Sequence, residues 1–185
     1  MIYDVMIDIE TLSTETNAVI VSIAAIKFDR NFKEGFEYED SDKFYIKVHQ
    51  QSCLDLNMHV DPDTVAWWGK QEAAIRHEAL DNQTDRVSIQ EALSKLSDWI
   101  GRRSDSIKIW SHGDDFDTVI LSSAYKTCNQ LTPWKFWNTR DTRTVYDIFN
   151  INLMKDVAQN NKHHPLYDCS RQIQGLEKAI NRKNK

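Results

Sequence analysis

Cysteine, proline and glycine are scarce in this chain: three, three and five among 185 residues. Cys53, Cys128 and Cys169 are odd in number and show no Cys-x-x-Cys spacing. That argues against a zinc site of cysteines and fits reduced thiols in a cytoplasmic protein. Few prolines and glycines argue against long linkers, and no repeat or low-complexity segment is visible. One domain over residues 1–185 is therefore expected. No apolar run approaches the length of a membrane span. Asp4 and Asp8 fall where a signal peptide would be neutral or basic, so no membrane partner is expected. Positive charge is short as well: 23 Lys and Arg against 28 Asp and Glu, a net charge of −5. That argues against non-specific coating of nucleic acid. It leaves room for a nucleic-acid enzyme, because bound cations neutralise carboxylates in a site.

What the chain does have is an apolar run at its start, Ile2 to Leu12, reading IYDVMIDIETL. Its near-continuous hydrophobicity predicts a strand buried on both faces. Asp8 and Glu10 interrupt it two residues apart, and such residues point to the same side of a strand. Two neighbouring carboxylates repel and resist burial unless a cation lies between them. Taken alone, the pair also fits two solvated acids where a strand frays into a loop.

Val19 to Phe28 and Phe44 to Val48 predict two further strands, with Gly35 in a turn between them, and thus an antiparallel meander. Asp61-Pro62 reads as an N-cap and first helical residue. It opens a helix with Val65, Trp67 and Trp68, the tryptophans expected in core and interface rather than as base-stacking platforms. A second helical stretch covers Glu72 to Leu80. Ser88 to Ile100 is the cleanest helix, with a Ser88/Glu91 capping-box pattern and an apolar face of Ile89, Leu93, Leu96 and Ile100. Gly101 ends it, and Arg102 and Arg103 follow. Ile107 to Trp110 predicts a strand. The next helix should face Phe116, Val119, Ile120, Ser123 and Ala124 inward. Phe136 to Asn138 predicts another strand. A helix from Thr142 to Phe149 should bury Val145, Ile148 and Phe149. The last helix should begin near Pro165, bury Leu166, Cys169, Ile173, Leu176 and Ile180, and end in a basic segment from Lys178 to Lys185. The order β-β-β-α-α-α-β-α-β-α-α predicts an α/β fold with a mixed sheet covered by helices.

Two more acidic stretches stand at predicted element ends. In Trp110 to Leu121, Asp114 and Asp115 fit N-cap and first-turn acids favoured by the helix dipole. Asp117 follows the core-facing Phe116 and could reach a metal shared with Asp8. In His163 to Cys169, Asp168 lies in the first turn of the final helix behind two histidines. That segment by itself also fits a polar helix start with His164 as cap.

Asp8 with Glu10, then Asp117, then His163 with Asp168 occur in this order. In that combination the sequence resembles the DEDDh 3′–5′ exonucleases of the DnaQ-like, ribonuclease H-like superfamily. Asp8-Ile9-Glu10-Thr11 matches their first motif, Phe116-Asp117 their second, and His163 through Asp168 their third. It most resembles the bacteriophage exonuclease A subgroup and related small exoribonucleases. There Lys135 to Thr144, KFWNTRDTRT, and Thr64 to Trp68, TVAWW, have counterparts. Gly113 stands where many DEDDh enzymes have Asn, a feature this subgroup shares.

The resemblance implies a ribonuclease H-like mixed sheet, three antiparallel strands followed by parallel ones, flanked by helices. It implies two divalent cations, Mg²⁺ or Mn²⁺, lying roughly 3.5–4 Å apart and held by Asp8, Glu10, Asp117 and Asp168. Asp8 would bridge both, Glu10 and Asp168 would complete one site, and Asp117 would hold the second through water. His163 would be the general base. Nucleic acid 3′ ends, DNA and/or RNA, would be the partner; the family leans toward homodimers, and the sequence leaves the oligomeric state open. Thr11 and Leu12 would touch the terminal nucleotide, with Phe116 and Arg140 as further contacts. Arg140, Asp141 and Arg143 fit a brace at a strand-to-helix joint equally well. Two rival readings remain. Asp8-Ile9-Glu10-Thr11 and Gly113-Asp114 echo a haloacid-dehalogenase-type phosphatase, although the second acid is Glu and the later spacing differs. A non-catalytic nucleic-acid-binding module on the same fold is the other.

Overall fold

The apolar run at the start forms β1 (Asp4–Thr11). It lies near the middle of a six-stranded sheet in the computed structural model, which describes residues 4–32, 39–81, 83–101, 106–157 and 164–183. Ile2, Tyr3, Gly35, Arg102, Arg103, His163, Asn184 and Lys185 lie outside the described residues.

β1 pairs antiparallel with β2 (Ile20–Phe28), and β2 antiparallel with β3 (Lys43–Val48). A two-residue β4 (Arg86–Val87) joins β3 in parallel. On the other side β5 (Ile109–Ser111) runs parallel to β1, and β6 (Thr139–Asp141) parallel to β5. The order is β4-β3-β2-β1-β5-β6, the mixed sheet expected. The helices are α1 (Gln50–Leu54), α2 (Pro62–Gly69), α3 (Ala73–Arg76), α4 (Ile89–Ile100), α5 (Asp117–Thr127), α6 (Thr142–Ile148), α7 (Leu153–Asp156) and α8 (Pro165–Lys183).

Alternation along β1 divides the core. Val5, Ile7 and Ile9 pack in one cluster with Leu93 and Leu96 of α4 and Ile120 of α5. Met6 packs on the other face with Cys169, Ile173 and Leu176 of α8. Asp8 and Glu10 continue the Met6 face, so both carboxylates emerge beside the start of α8.

Several expectations need correction. The strand expected at Phe136–Asn138 is a short 3₁₀ turn, and the strand follows it at Thr139–Asp141. Phe136 is 82% exposed, which no core strand would allow. In α5 the buried residues include Asp117, Thr118, Leu121 and Tyr125, while Val119 is exposed. The helix is therefore rotated from its expected setting, and Asp117 takes an inward position. Ile148 is exposed and Tyr146 takes its inward place, with its hydroxyl donating to Gln172 O of α8. Ala179, rather than Ile180, closes the α8 face. At α4 the Ser88 hydroxyl accepts from Glu91 N (3.2 Å), but the Glu91 carboxylate pairs forward with Lys95 (2.8 Å). Only half of the capping box forms. α1, β4 and α7 are five, two and four residues long, too short for periodicity to mark them.

Candidate active site

Four acids meet where β1 ends. Oxygens of Asp8, Glu10 and Asp168 all lie within 4.8 Å of one another. Asp8 and Glu10 come from one face of β1, and Asp168 from the first turn of α8. A bulge between Glu10 and Thr11 shifts the pairing with β2 at this point, a common device beside active sites.

Asp117 arrives for a different reason. The β1–β5 ladder pairs only Val5 with Ile109 and Met6 with Trp110. Beyond it the buried Ile9 N–H has lost a strand partner and needs another acceptor. Asp117 Oδ1 accepts it at 3.1 Å. Asp117 is 4% exposed, and its second oxygen is not used in that bond. The turn before α5 is held by Gly113 at φ +114, where a Cβ would stand 3.0 Å from Arg143 Nη1. Gly113 N donates to Asp141 Oδ1 (3.2 Å).

The electrostatics are those of a site short of positive charge. Burial, followed by the Asp117, Glu10 and Asp168 charges, pushes Asp8 well above the usual carboxylate range. Glu10 rises to about 8, from burial first and then Asp168 and Asp117. Asp117 rises to about 7 from burial, against the opposing bond from Ile9 and the charge of Arg143. The donor set is all oxygen and suits a hard divalent cation.

Gln172 was not anticipated. It stands four residues after Asp168 on α8, and its Nε2 donates to Asp8 Oδ1 (2.9 Å). The i, i+4 spacing from an acid already singled out was the available signal. His112 was also missed. It lines the carboxylate cleft, of about 360 Å³, with Phe116, Met154 and Arg171.

Thr11 and Phe116 line a second cleft of about 430 Å³ that shares Glu10. Trp67 lines it too, so this tryptophan faces solvent rather than core. Its neighbour Trp68 is buried and donates from Nε1 to Thr11 O (2.9 Å), tying α2 to the end of β1. The Thr11 hydroxyl donates to Ser13 O (2.7 Å). Leu12 is 7% exposed and packs in the core behind this cleft. Arg140 is not brought to the cluster: its guanidinium donates to Trp137 O (3.0 Å) and Thr139 O (2.6 Å). Its charge acts on Asp4, at the opposite end of β1 from Asp8. Asp141 caps α6, accepting from Arg143 N and Thr144 N. His164 O accepts from Tyr167 N and Asp168 N at the start of α8. Its ring lies between Tyr45 and Tyr167, with centroids 4.9 and 5.1 Å away. A phosphatase-type arrangement would bring Asp114 to Asp8, yet Asp114 Oδ1 accepts from Thr118 Oγ1 (2.9 Å) and Asp117 reaches β1 instead.

A mixed six-stranded sheet ending in such a carboxylate cluster is the arrangement of the DnaQ-like, ribonuclease H-like superfamily, and the sequence places the chain among its 3′–5′ exonucleases. The chain belongs to the Rv2179c-like 3′–5′ exoribonuclease domain family, whose sequence model matches residues 3–180. It is 27% identical to an exodeoxyribonuclease of Enterobacteria phage T4, over 96% of this chain and 89% of that protein. Its fold is similar to that of E. coli exonuclease I. The TM-score is 0.72 at 14% identity for one structure of that enzyme, and 0.70 at 15% for its zinc-bound complex with single-stranded DNA. Both matches cover all of this chain and 42% of exonuclease I, so the chain spans less than half of that protein's length.

Proposed function

We propose that this exonuclease removes nucleotides one at a time from 3′ ends of DNA and/or RNA as nucleoside 5′-monophosphates, using two Mg²⁺ or Mn²⁺ ions and His163 as general base. The observation that carries this reading is the convergence of Asp8, Glu10 and Asp168 with Asp117 beside them. When bound, the two cations stabilise charge on the attacking and leaving oxygens of an in-line displacement. Asp8 would bridge them, and Glu10 and Asp168 would complete one site. Asp117 would serve the second through water, using the oxygen that Ile9 N–H leaves unengaged. The Gln172 amide orients Asp8 and keeps one of its oxygens hydrogen-bonded.

His163 takes the proton of the attacking water in this reading. The placement of His164 supports the choice between the two histidines: its carbonyl serves the helix start and its ring is packed between two tyrosines. Thr11, Phe116 and Trp67 face the cleft that would receive the 3′-terminal nucleoside. Since the Thr11 hydroxyl hydrogen is committed to Ser13 O, Thr11 can only accept, which suits a sugar hydroxyl donor. Leu12, packed in the core next to Thr11, would support that cleft from behind without touching the base, and Arg140, held at Trp137 O and Thr139 O, would brace the strand-to-helix joint. The unpaired cysteines suit the cytoplasm of a bacterial or phage-infected cell.

The test is degradation of 5′-labelled DNA and RNA oligonucleotides, single- and double-stranded, in Mg²⁺ and in Mn²⁺. A ladder shortening by single steps from the 3′ end, with 5′-mononucleotide products, is expected, and a 3′-phosphate should slow it. Release of 3′-mononucleotides, or cutting of a closed circle, would contradict the reading.

A further inference from the structure

The carboxylate cluster opens onto two sides of opposite character. Toward β3, a cavity of about 540 Å³ that shares Glu10 carries Glu72 and Glu78 on its wall. Glu78 is paired with Lys47 (3.3 Å), so this wall offers a polyanion no net attraction. Toward α7, the cleft wall carries Arg171 and His112.

Arg171 follows Asp168 by three residues on α8 and therefore lies close to it along the helix surface. Its Nη2 donates to Leu153 O (3.3 Å) and contacts Met154 Sδ (3.0 Å). These contacts fix the guanidinium against α7. Its Nε is buried with no acceptor among the described residues, an expensive state for a charged donor. The other positive group nearby, Arg143, stands beside Gly113 among Asp114, Asp115 and Asp141, whose carboxylates set an acidic rim around it. His112 is a weaker candidate for holding a phosphate. Thr142 Oγ1 donates to Ser111 O (3.1 Å) and so accepts from His112 Nδ1 (2.9 Å), and burial followed by the Arg143 charge holds the ring's pKa down.

We propose that Arg171 receives the phosphate on the 5′ side of the scissile one, so that the upstream strand leaves across the α7 wall rather than past Glu72 and Glu78. This rests on the exonuclease reading above. With Nη2 held by α7 and Nε buried, the guanidinium can meet a phosphodiester through Nη1, as a charge-assisted donor fixed in place. With a net charge of −5, the chain cannot hold a strand by diffuse attraction, and a placed cation supplies what the surface lacks.

The test compares wild type, Arg171→Gln, Arg171→Lys and Glu72→Gln. One substrate is the p-nitrophenyl ester of thymidine 5′-monophosphate, which has a scissile phosphate and none upstream. The other is a single-stranded oligonucleotide assayed at several salt concentrations. In Arg171→Gln the ratio of oligonucleotide to ester kcat/KM should fall about tenfold, through KM, and the salt slope should flatten by about one counterion. Arg171→Lys should recover the salt slope with an intermediate KM, and Glu72→Gln should leave the ratio unchanged. An unchanged ratio in Arg171→Gln overturns the proposal. Equal loss on both substrates does so too, assigning Arg171 to the metal centre or to folding. A changed ratio in Glu72→Gln alone would send the strand past the opposite wall. If wild type cleaves neither substrate, the exonuclease reading itself fails.

Discussion

Asp4 and Asp8 stand on the same face of one strand, four residues apart, and only one of them is built to stay an unassisted acid. Asp4 is 2% exposed. It accepts from Trp110 Nε1 (2.9 Å) and pairs with Arg30 Nε (3.3 Å). Burial raises its pKa, but the Trp110 bond and the Arg30 charge oppose that rise. Asp8 accepts from the Gln172 amide, while Asp117, Glu10 and Asp168 all add to the effect of burial. The same residue type on the same β-strand thus becomes a structural carboxylate where donors surround it, and a ligand in waiting where acids do. Burial alone does not separate a site from a scaffold; the sign of the neighbours does.

The largest expected difference between the two ends is in activity. Asp8→Asn should lower the rate by about 10³-fold or more, the equivalent of roughly 4 kcal/mol of charge stabilisation. Asp4→Asn should keep a near-normal rate per folded molecule. Comparable losses in both variants, in a mononucleotide-release assay on protein checked for folding, would erase the contrast. A smaller range applies at the α8 start. His163→Ala should cost about 10²–10⁴-fold, the usual share of a general base. His164→Ala should act through stability or a small rate factor, since its ring fills the space between Tyr45 and Tyr167. A dead His164→Ala beside a near-normal His163→Ala, measured at saturating Mn²⁺, would reverse that assignment.

Stability should run the other way. Asp4→Ala leaves a buried indole N–H without an acceptor and should cost about 1–3 kcal/mol in urea unfolding. Glu10→Gln removes a charge that its surroundings oppose and should raise the melting temperature of the metal-free protein by about 3 °C at pH 8 or above. The sign follows from the shift. The folded-state pKa of Glu10 rises from 4.5 to about 8. Its contribution is fully present below pH about 4.5 and is lost as pH climbs through about 8. In excess EDTA, the gap between wild type and Glu10→Gln should therefore widen from pH 5 to pH 8.5, and Mn²⁺ should close it. A gap that shrinks as pH rises would show that Glu10 is no more strained than Asp4.

Much of the site was legible because its ligands follow from local rules. Asp8 and Glu10 share a face by the two-residue period of a strand, and Asp168 sits in a first helical turn that Pro165 announces. The helix formed by Ile89 to Ile100 is equally local, with its apolar face and its Ser88 cap. β4, α1 and α7, of two, five and four residues, carry too little pattern of their own to read.

The sequence by itself determined the meander, the alternation that puts Met6, Asp8 and Glu10 on one face, and the order of the acidic motifs, because each depends on neighbours within a turn or a strand. Only the tertiary structure decided which acid is a ligand and which is a brace. The early end of the β1–β5 ladder frees Ile9 N–H and draws in Asp117. The packing of α8 sets Gln172 against Asp8. Trp110 and Arg30 reach Asp4 from positions 106 and 26 residues away. These are long-range contacts, and a carboxylate's charge state is set by what surrounds it in space rather than along the chain.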